Sequence, residues 1–200
     1  MDIKNFKQLL IKSQPHALVR YGEGEKNIFD QINCNRKGFK YDSIIDEEFR
    51  QDLIDSYHYR SANYYVGDKE PISACVFVNE NYPIFISEIV PLFNMYPVLL
   101  VGHERSDLSS LPFKIKNFFA VSDNAWRYYP KLADNILVEI KSHQSPVLVL
   151  FACGPYSNVL VHKIWEEDKN NILWNIGSTI DPYIFGVNTR QYHERIFNAS

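Results

Sequence analysis

Two carboxylates, Glu23 and Glu25, stand two residues apart among glycines in the run GEGEK, directly after an apolar stretch at 16–21. In an extended segment, alternate side chains leave on the same face, roughly 6–7 Å apart. Gly22 and Gly24 permit close approach of a ligand and unusual torsions. Paired acids of this kind can hold Mg²⁺ or Mn²⁺, which take one or two protein carboxylates and fill the shell with water and substrate phosphates. The same run also reads as a solvated acidic turn.

A second constellation lies in VLVLFACGPYSNVLVHKIWEE, where a buried strand ends at Ala152 and Gly154-Pro155 opens a helix. Proline at the first helical position loses no hydrogen bond. The N–H groups of Tyr156, Ser157 and Asn158 would then point out of the helix start, with the positive end of its dipole behind them. That is an anion site, and the Ser157 hydroxyl adds a donor. An ordinary strand-to-helix turn explains the same residues. Neither a Walker loop nor GxGxxG is present. The closing segment NIGSTIDPYIFGVNTRQYH carries Gly177, Ser178, Asp181, Arg190, Tyr192 and His193. Arg190 can meet phosphate with a planar fork. His193 reads as an exposed tail histidine in the absence of a partner. Trp126 and Tyr129, in NAWRYYP, read as helix-to-sheet packing ahead of base or sugar stacking. No GxSxG elbow or Cys/His pair supports acyl transfer.

The elements that must position these groups follow from periodicity. Residues 2–13 place Ile3, Phe6, Leu9 and Leu10 on one helical face. Residues 43–57 predict a second helix, capped by Ser43, with Ile45, Phe49, Leu53 and Ile54 as its stripe. Short apolar runs at 16–21, 74–79, 97–102, 118–122, 146–152 and 171–176 predict strands. Helical patterns at 83–94, 124–141 and 156–168 fall between them. Continuous apolar strands alternating with helices predict an α/β fold: a single Rossmann-like domain whose mostly parallel sheet is flanked by helices. In such a sheet ligands gather at the carboxyl ends of the strands. Those ends include Asn79-Glu80-Asn81, His103-Glu104 and Ser122-Asp123-Asn124.

The chain of 200 residues suits one domain, and 46% hydrophobic content is enough for a substantial core. A net charge of -3 argues against a nucleic-acid partner. Three widely spaced cysteines suggest reduced thiols and a cytoplasmic setting. The most apolar stretch, 83–102, carries Glu88 and three prolines, which is wrong for a transmembrane helix.

Together these segments resemble the glycosyltransferases with the GT-D fold. RYGEGE resembles their R-[FY]-G-D-G-E signature, with Glu23 in place of the aspartate. YYVG at 64–67, FVNENYPIFI at 77–86, VLLVGHE, DNAWRYY, ACGPYSNVL and the closing segment are similar to later blocks in the same order. The resemblance spans about residues 16–193. It implies a Rossmann-like domain, a nucleotide-sugar donor and a glycan or other hydroxyl acceptor. It maps the family's Asp-x-Glu metal and diphosphate element onto Glu23 and Glu25, and its glycine-proline turn onto Cys153-Gly154-Pro155. The late G-S-x-x-D-P and R-x-Y blocks map onto Gly177, Ser178, Asp181, Pro182, Arg190 and Tyr192. Expected ligands are therefore Glu23 and Glu25 for Mn²⁺ or Mg²⁺. Gly22, Gly154, Pro155, Ser157, Asn158, Ser178, Arg190 and Tyr192 are expected to bind the donor, and Asp181 or Glu104 to serve as acceptor base. An S-adenosylmethionine-dependent methyltransferase and a non-catalytic glycan- or nucleotide-binding module are the rival expectations. The sequence leaves sugar, nucleotide, stereochemical outcome and oligomeric state open.

Overall fold

Six parallel strands form the centre of the protein, in the order β4-β1-β8-β7-β5-β6. They are β1 (His16–Arg20), β4 (Tyr64–Gly67), β5 (Val98–His103), β6 (Asn117–Val121), β7 (Leu148–Ala152) and β8 (Ile172–Asn175). A two-stranded antiparallel hairpin, β2 (Cys34–Arg36) and β3 (Phe39–Tyr41), stands apart from this sheet. The computed structural model describes residues 2–36, 38–68 and 72–197.

Alternation along each strand splits the core into two layers. Ala17, Val19, Leu99, Val101, Val149, Phe151 and Leu173 face α2 (Glu23–Phe29), α3 (Glu47–His58), α6 (Leu132–Lys141) and α7 (Tyr156–Glu167). Leu18, Val98, Leu100, Leu148, Leu150 and Trp174 face α1 (Ile3–Ile11) and the helical segment that follows β4. The α/β class with a parallel sheet covered on both faces is therefore as the apolar runs predict.

Four local expectations are corrected. Residues 74–79 form turns in place of a strand, because Val76 and Phe77 are buried as loop residues beneath the sheet. The edge strand is Tyr64–Gly67, paired with β1. The helix expected at 43–57 begins at Glu47, not at a Ser43 cap. Asp42 Oδ1 instead accepts the N–H groups of Ile44 and Ile45, and Ile45 is exposed. The pattern at 83–94 is a mixed winding. Asn79–Asn81 is 3₁₀, α4 is Tyr82–Ile84, Phe85–Ile89 is π and Val90–Met95 is 3₁₀. Pro91, which has no N–H to donate, lies where the 3₁₀ turns resume. The pattern at 124–141 breaks at Pro130 into α5 (Ala125–Tyr128) and α6. Trp126 packs as expected, stacked on Phe49 at 4.4 Å between ring centroids. Two short helices close the described chain, α8 (Asp181–Phe185) and α9 (Glu194–Phe197).

Candidate active site

The carboxyl ends of β1, β8, β7, β5 and β6 open onto one cavity of about 940 Å³. Its floor is organised by Asn158. The buried Asn158 Oδ1 accepts the Arg20 N–H at 3.0 Å, and its Nδ2 donates to Arg20 O at 2.8 Å. Asn175 Nδ2 donates to the same Oδ1 at 2.7 Å, and Asn175 Oδ1 accepts the Gly177 N–H at 3.0 Å. One asparagine thus replaces a missing strand neighbour and fixes the last residue of β1 against the last residue of β8.

That last residue of β1 is Arg20. Its Nε donates to Ala74 O at 2.9 Å and one terminal nitrogen donates to Ile176 O at 3.3 Å. The guanidinium carbon lies 5.7 Å from the centroid of the Phe77 ring. Among the described residues Arg20 has no ion pair, and its Nη2 makes no hydrogen bond. Burial lowers its pKa from the ordinary value, while Tyr192, Glu25 and Cys75 act in the opposite direction. A fixed cation with spare donors at a cavity floor is built to meet an anion. Sequence reasoning missed it as a site residue, although arginine at a strand end before a glycine turn was a usable signal.

Glu23 and Glu25 do not stand side by side. They occupy the first turn of α2, where 3.6 residues per turn set them roughly 200° apart. The extended geometry expected from the sequence is overturned, because Gly22 caps a helix there. Glu25 lines the cavity and its Oε2 accepts the Gly22 N–H at 2.9 Å, the reciprocal half of a capping box. Burial raises its pKa, opposed by its own and Gly22's backbone N–H groups and by Arg20. Glu23 is exposed and does not line the cavity. Among the described residues no group of three or more His, Cys, Asp or Glu could hold a metal ion. Of the two glutamates, only Glu25 could offer a carboxylate oxygen to a cation inside the cavity.

Gly154 turns the chain after β7 at φ +68°, a left-handed conformation that glycine adopts freely. Pro155 is the residue before the first turn of α7, not its first helical residue. Gly154 and Pro155 line the cavity, whereas Ser157 and Asn158 do not. The expectation of free donors there is corrected for Ser157 and Asn158. Ser157 N–H donates to Gly154 O at 3.0 Å and Asn158 N–H to Pro155 O at 3.2 Å. The Ser157 hydroxyl accepts the Cys153 N–H at 3.1 Å, and the Ser157 and Asn158 side chains are fully buried.

The closing segment brings Ser178, Asp181, Arg190 and Tyr192 to the cavity wall. The hydroxyls of Ser178 and Tyr192 are 2.7 Å apart. Asp181 Oδ2 accepts from the Thr189 hydroxyl at 2.5 Å. Burial pushes the Asp181 carboxyl up to about 6, against the pull of Thr189 and Arg190. His193 is buried, contrary to its reading as an exposed tail residue: its Nε2 meets Ser178 O at 3.0 Å and its Nδ1 accepts the Arg190 N–H at 3.3 Å. Glu104 is exposed and lies outside the cavity lining. All three cysteines are free and line the cavity, and burial pushes the Cys153 thiol up to about 12. No helix among the described residues is long and apolar enough to cross a membrane.

No protein-family model matches the chain, and no curated protein matches it. Two solved structures share its fold. One is described as the highly conserved domain of unknown function 1792, with a distinct glycosyltransferase fold. It is 17% identical at a TM-score of 0.63, covering 99% of this chain and 87% of that one. The other is described as a new glycosyltransferase of the same domain type from Streptococcus sanguinis. It is 17% identical at a TM-score of 0.56, covering 94% of this chain and 85% of that one. This chain therefore shares the fold of these two structures over nearly its whole length.

Proposed function

We propose that the protein is a glycosyltransferase that moves a sugar from a nucleotide-sugar donor to a hydroxyl of a glycan or glycosylated acceptor. The observation that carries this reading is Arg20. It is a fixed guanidinium with an unengaged nitrogen, facing a large cavity at the strand ends of a glycosyltransferase fold. A donor diphosphate supplies the anion such a group requires.

The residues then divide the work. Arg20 and Arg190 receive the diphosphate, and Gly22 and Gly154 let backbone approach it. Ser178 and Tyr192 present hydroxyls beside it. Glu25 would hold Mn²⁺ or Mg²⁺, with exposed Glu23 reaching the ion only through water. The ion would supply further positive charge to the leaving diphosphate. Asp181 takes the proton from the acceptor hydroxyl as its oxygen bonds to the anomeric carbon. The bond from that carbon to the diphosphate breaks, and the electron pair leaves with the diphosphate beside Arg20. Asp181 is suited to this step because its carboxyl, held near 6, is largely ionised at neutral pH and still basic.

Incubating the protein with Mn²⁺, a set of nucleotide sugars and a pool of simple glycosides, followed by mass spectrometry, tests the reading. It expects a product one sugar heavier than a glycoside, with release of nucleoside diphosphate. Donor binding without release of diphosphate would instead mark a non-catalytic binding module.

A further inference from the structure

The groups assigned to the donor occupy the cavity side formed by β1, β8 and β7. The ends of β5 and β6 carry a different chemistry. Arg105 N–H donates to His103 Nδ1 at 3.1 Å, which leaves the ring proton on Nε2. Nε2 then donates to Asp123 Oδ1 at 3.0 Å. Asp123 nevertheless keeps 40% of its side chain exposed and lines the cavity. On the other side of the imidazole, the Phe185 ring centroid lies 6.5 Å from that of His103. Phe185 is 38% exposed and also lines the cavity. Asp107 N–H donates to Ile184 O at 2.9 Å, which ties α8 to the loop after β5 and holds this arrangement. Asp181 and Phe185 are four residues apart on α8, so they share a face one turn apart.

We infer that Phe185 and Asp123 form a sugar-ring subsite for the acceptor. A pyranose has an apolar face of ring C–H groups and an edge of hydroxyls. An exposed aromatic ring matches the first. An ionised carboxylate, which only accepts hydrogen bonds, matches the second. His103 is a positioning residue: it engages Oδ1 of Asp123, while the exposed Arg105 guanidinium stands 3.8 Å from Oδ2, beyond hydrogen-bond distance, so Oδ2 keeps capacity for neighbouring hydroxyls. The identification of this ring as the acceptor rests on the glycosyltransferase reading, since it places the reacting hydroxyl beside Asp181.

The ribose diol of the donor offers the same hydroxyl chemistry, so the test separates the two sources. Saturation-transfer NMR on the full chain would use methyl glycosides of glucose, galactose and N-acetylglucosamine. Uridine and guanosine diphosphates with Mn²⁺ form the second arm. At least one glycoside should show saturated ring protons with the unmodified protein. Phe185→Ala and Asp123→Asn should each reduce that signal at least fivefold, Phe185→Trp should retain it, and diphosphate affinity should stay within twofold. Three results would overturn the subsite: no glycoside contact, contact unchanged in both variants, or a fivefold loss of diphosphate affinity in both. Failure of the transferase reading looks different. Glycoside contact that depends on Phe185 and Asp123, in a protein that neither binds nor cleaves nucleotide sugars, keeps the sugar subsite and removes the donor.

Discussion

Replacing Asp181 by asparagine should stabilise the protein while abolishing its activity. Asp181 is largely buried, and its carboxyl is held near 6, against 3.8 in the ordinary state. A carboxyl whose pKa is raised on folding binds its proton more tightly in the native state. Stability is therefore greatest below about 3.8 and falls as pH rises through about 6, above which the penalty is constant. Two pKa units correspond to about 3 kcal/mol, which partial solvent access reduces to about 1–3 kcal/mol. Asparagine has the same shape and its Oδ1 can still accept from Thr189, but it carries no charge. For a chain of this size each kcal/mol shifts the melting temperature by roughly 2–4 °C. Melting curves from pH 4 to pH 8 should show Asp181→Asn about 2–12 °C above the unmodified protein at pH 7–8, with the gap closing near pH 4. A difference independent of pH, or a less stable variant at pH 8, would refute the burial argument.

Glu25→Gln should weaken Mn²⁺-dependent nucleotide-sugar binding at least tenfold by calorimetry, whereas Glu23→Gln should change it less than threefold, since only Glu25 lines the cavity. Arg20→Lys keeps the charge but loses the planar fork held by Ala74 and Ile176, and should lower donor affinity about tenfold, or about 1.4 kcal/mol. Asn158→Leu leaves the buried Arg20 N–H and C=O without their partner and should destabilise the protein by about 2–4 kcal/mol in urea unfolding. Iodoacetamide at pH 8 should spare Cys153, whose buried thiol is pushed up to about 12, as peptide mapping would show.

The sheet was legible because each of its central strands is a continuous apolar run, which only a strand covered on both faces tolerates. Tyr64–Gly67 gave no such signal, since an edge strand of four residues, two of them only partly buried, is too short to stand out as an apolar run. The run at 74–79 carried the apolar signal without being a strand, because a buried loop and a buried strand need the same side chains. Within the site, the strand-end rule drew attention to the stretches holding His103 and Asp123, which line the cavity, but selected Glu104, which does not. One residue beyond the strand, Glu104 points out while His103 points in. Glu23 and Glu25 were legible as paired acids. Their helical placement was not, because GEGEK has none of the apolar spacing that marks a helix, and Glu25 caps its own first turn. Ser157 and Asn158 were legible as polar groups at a helix start. Their use inside the protein depends on Cys153 and Arg20, partners that only the folded chain brings near.

A thermal-shift panel of nucleotide sugars, with Mn²⁺ and with chelator, tests the central claim that this cavity receives a nucleotide-sugar donor. A donor present at 100 times its dissociation constant adds about 2.7 kcal/mol, a rise of roughly 5–10 °C for a chain of this length. The account predicts such a rise for at least one nucleotide sugar, larger with Mn²⁺ and reduced to about half in Arg20→Lys. No shift with any nucleotide sugar, together with a metal-independent shift by S-adenosylmethionine, would contradict it.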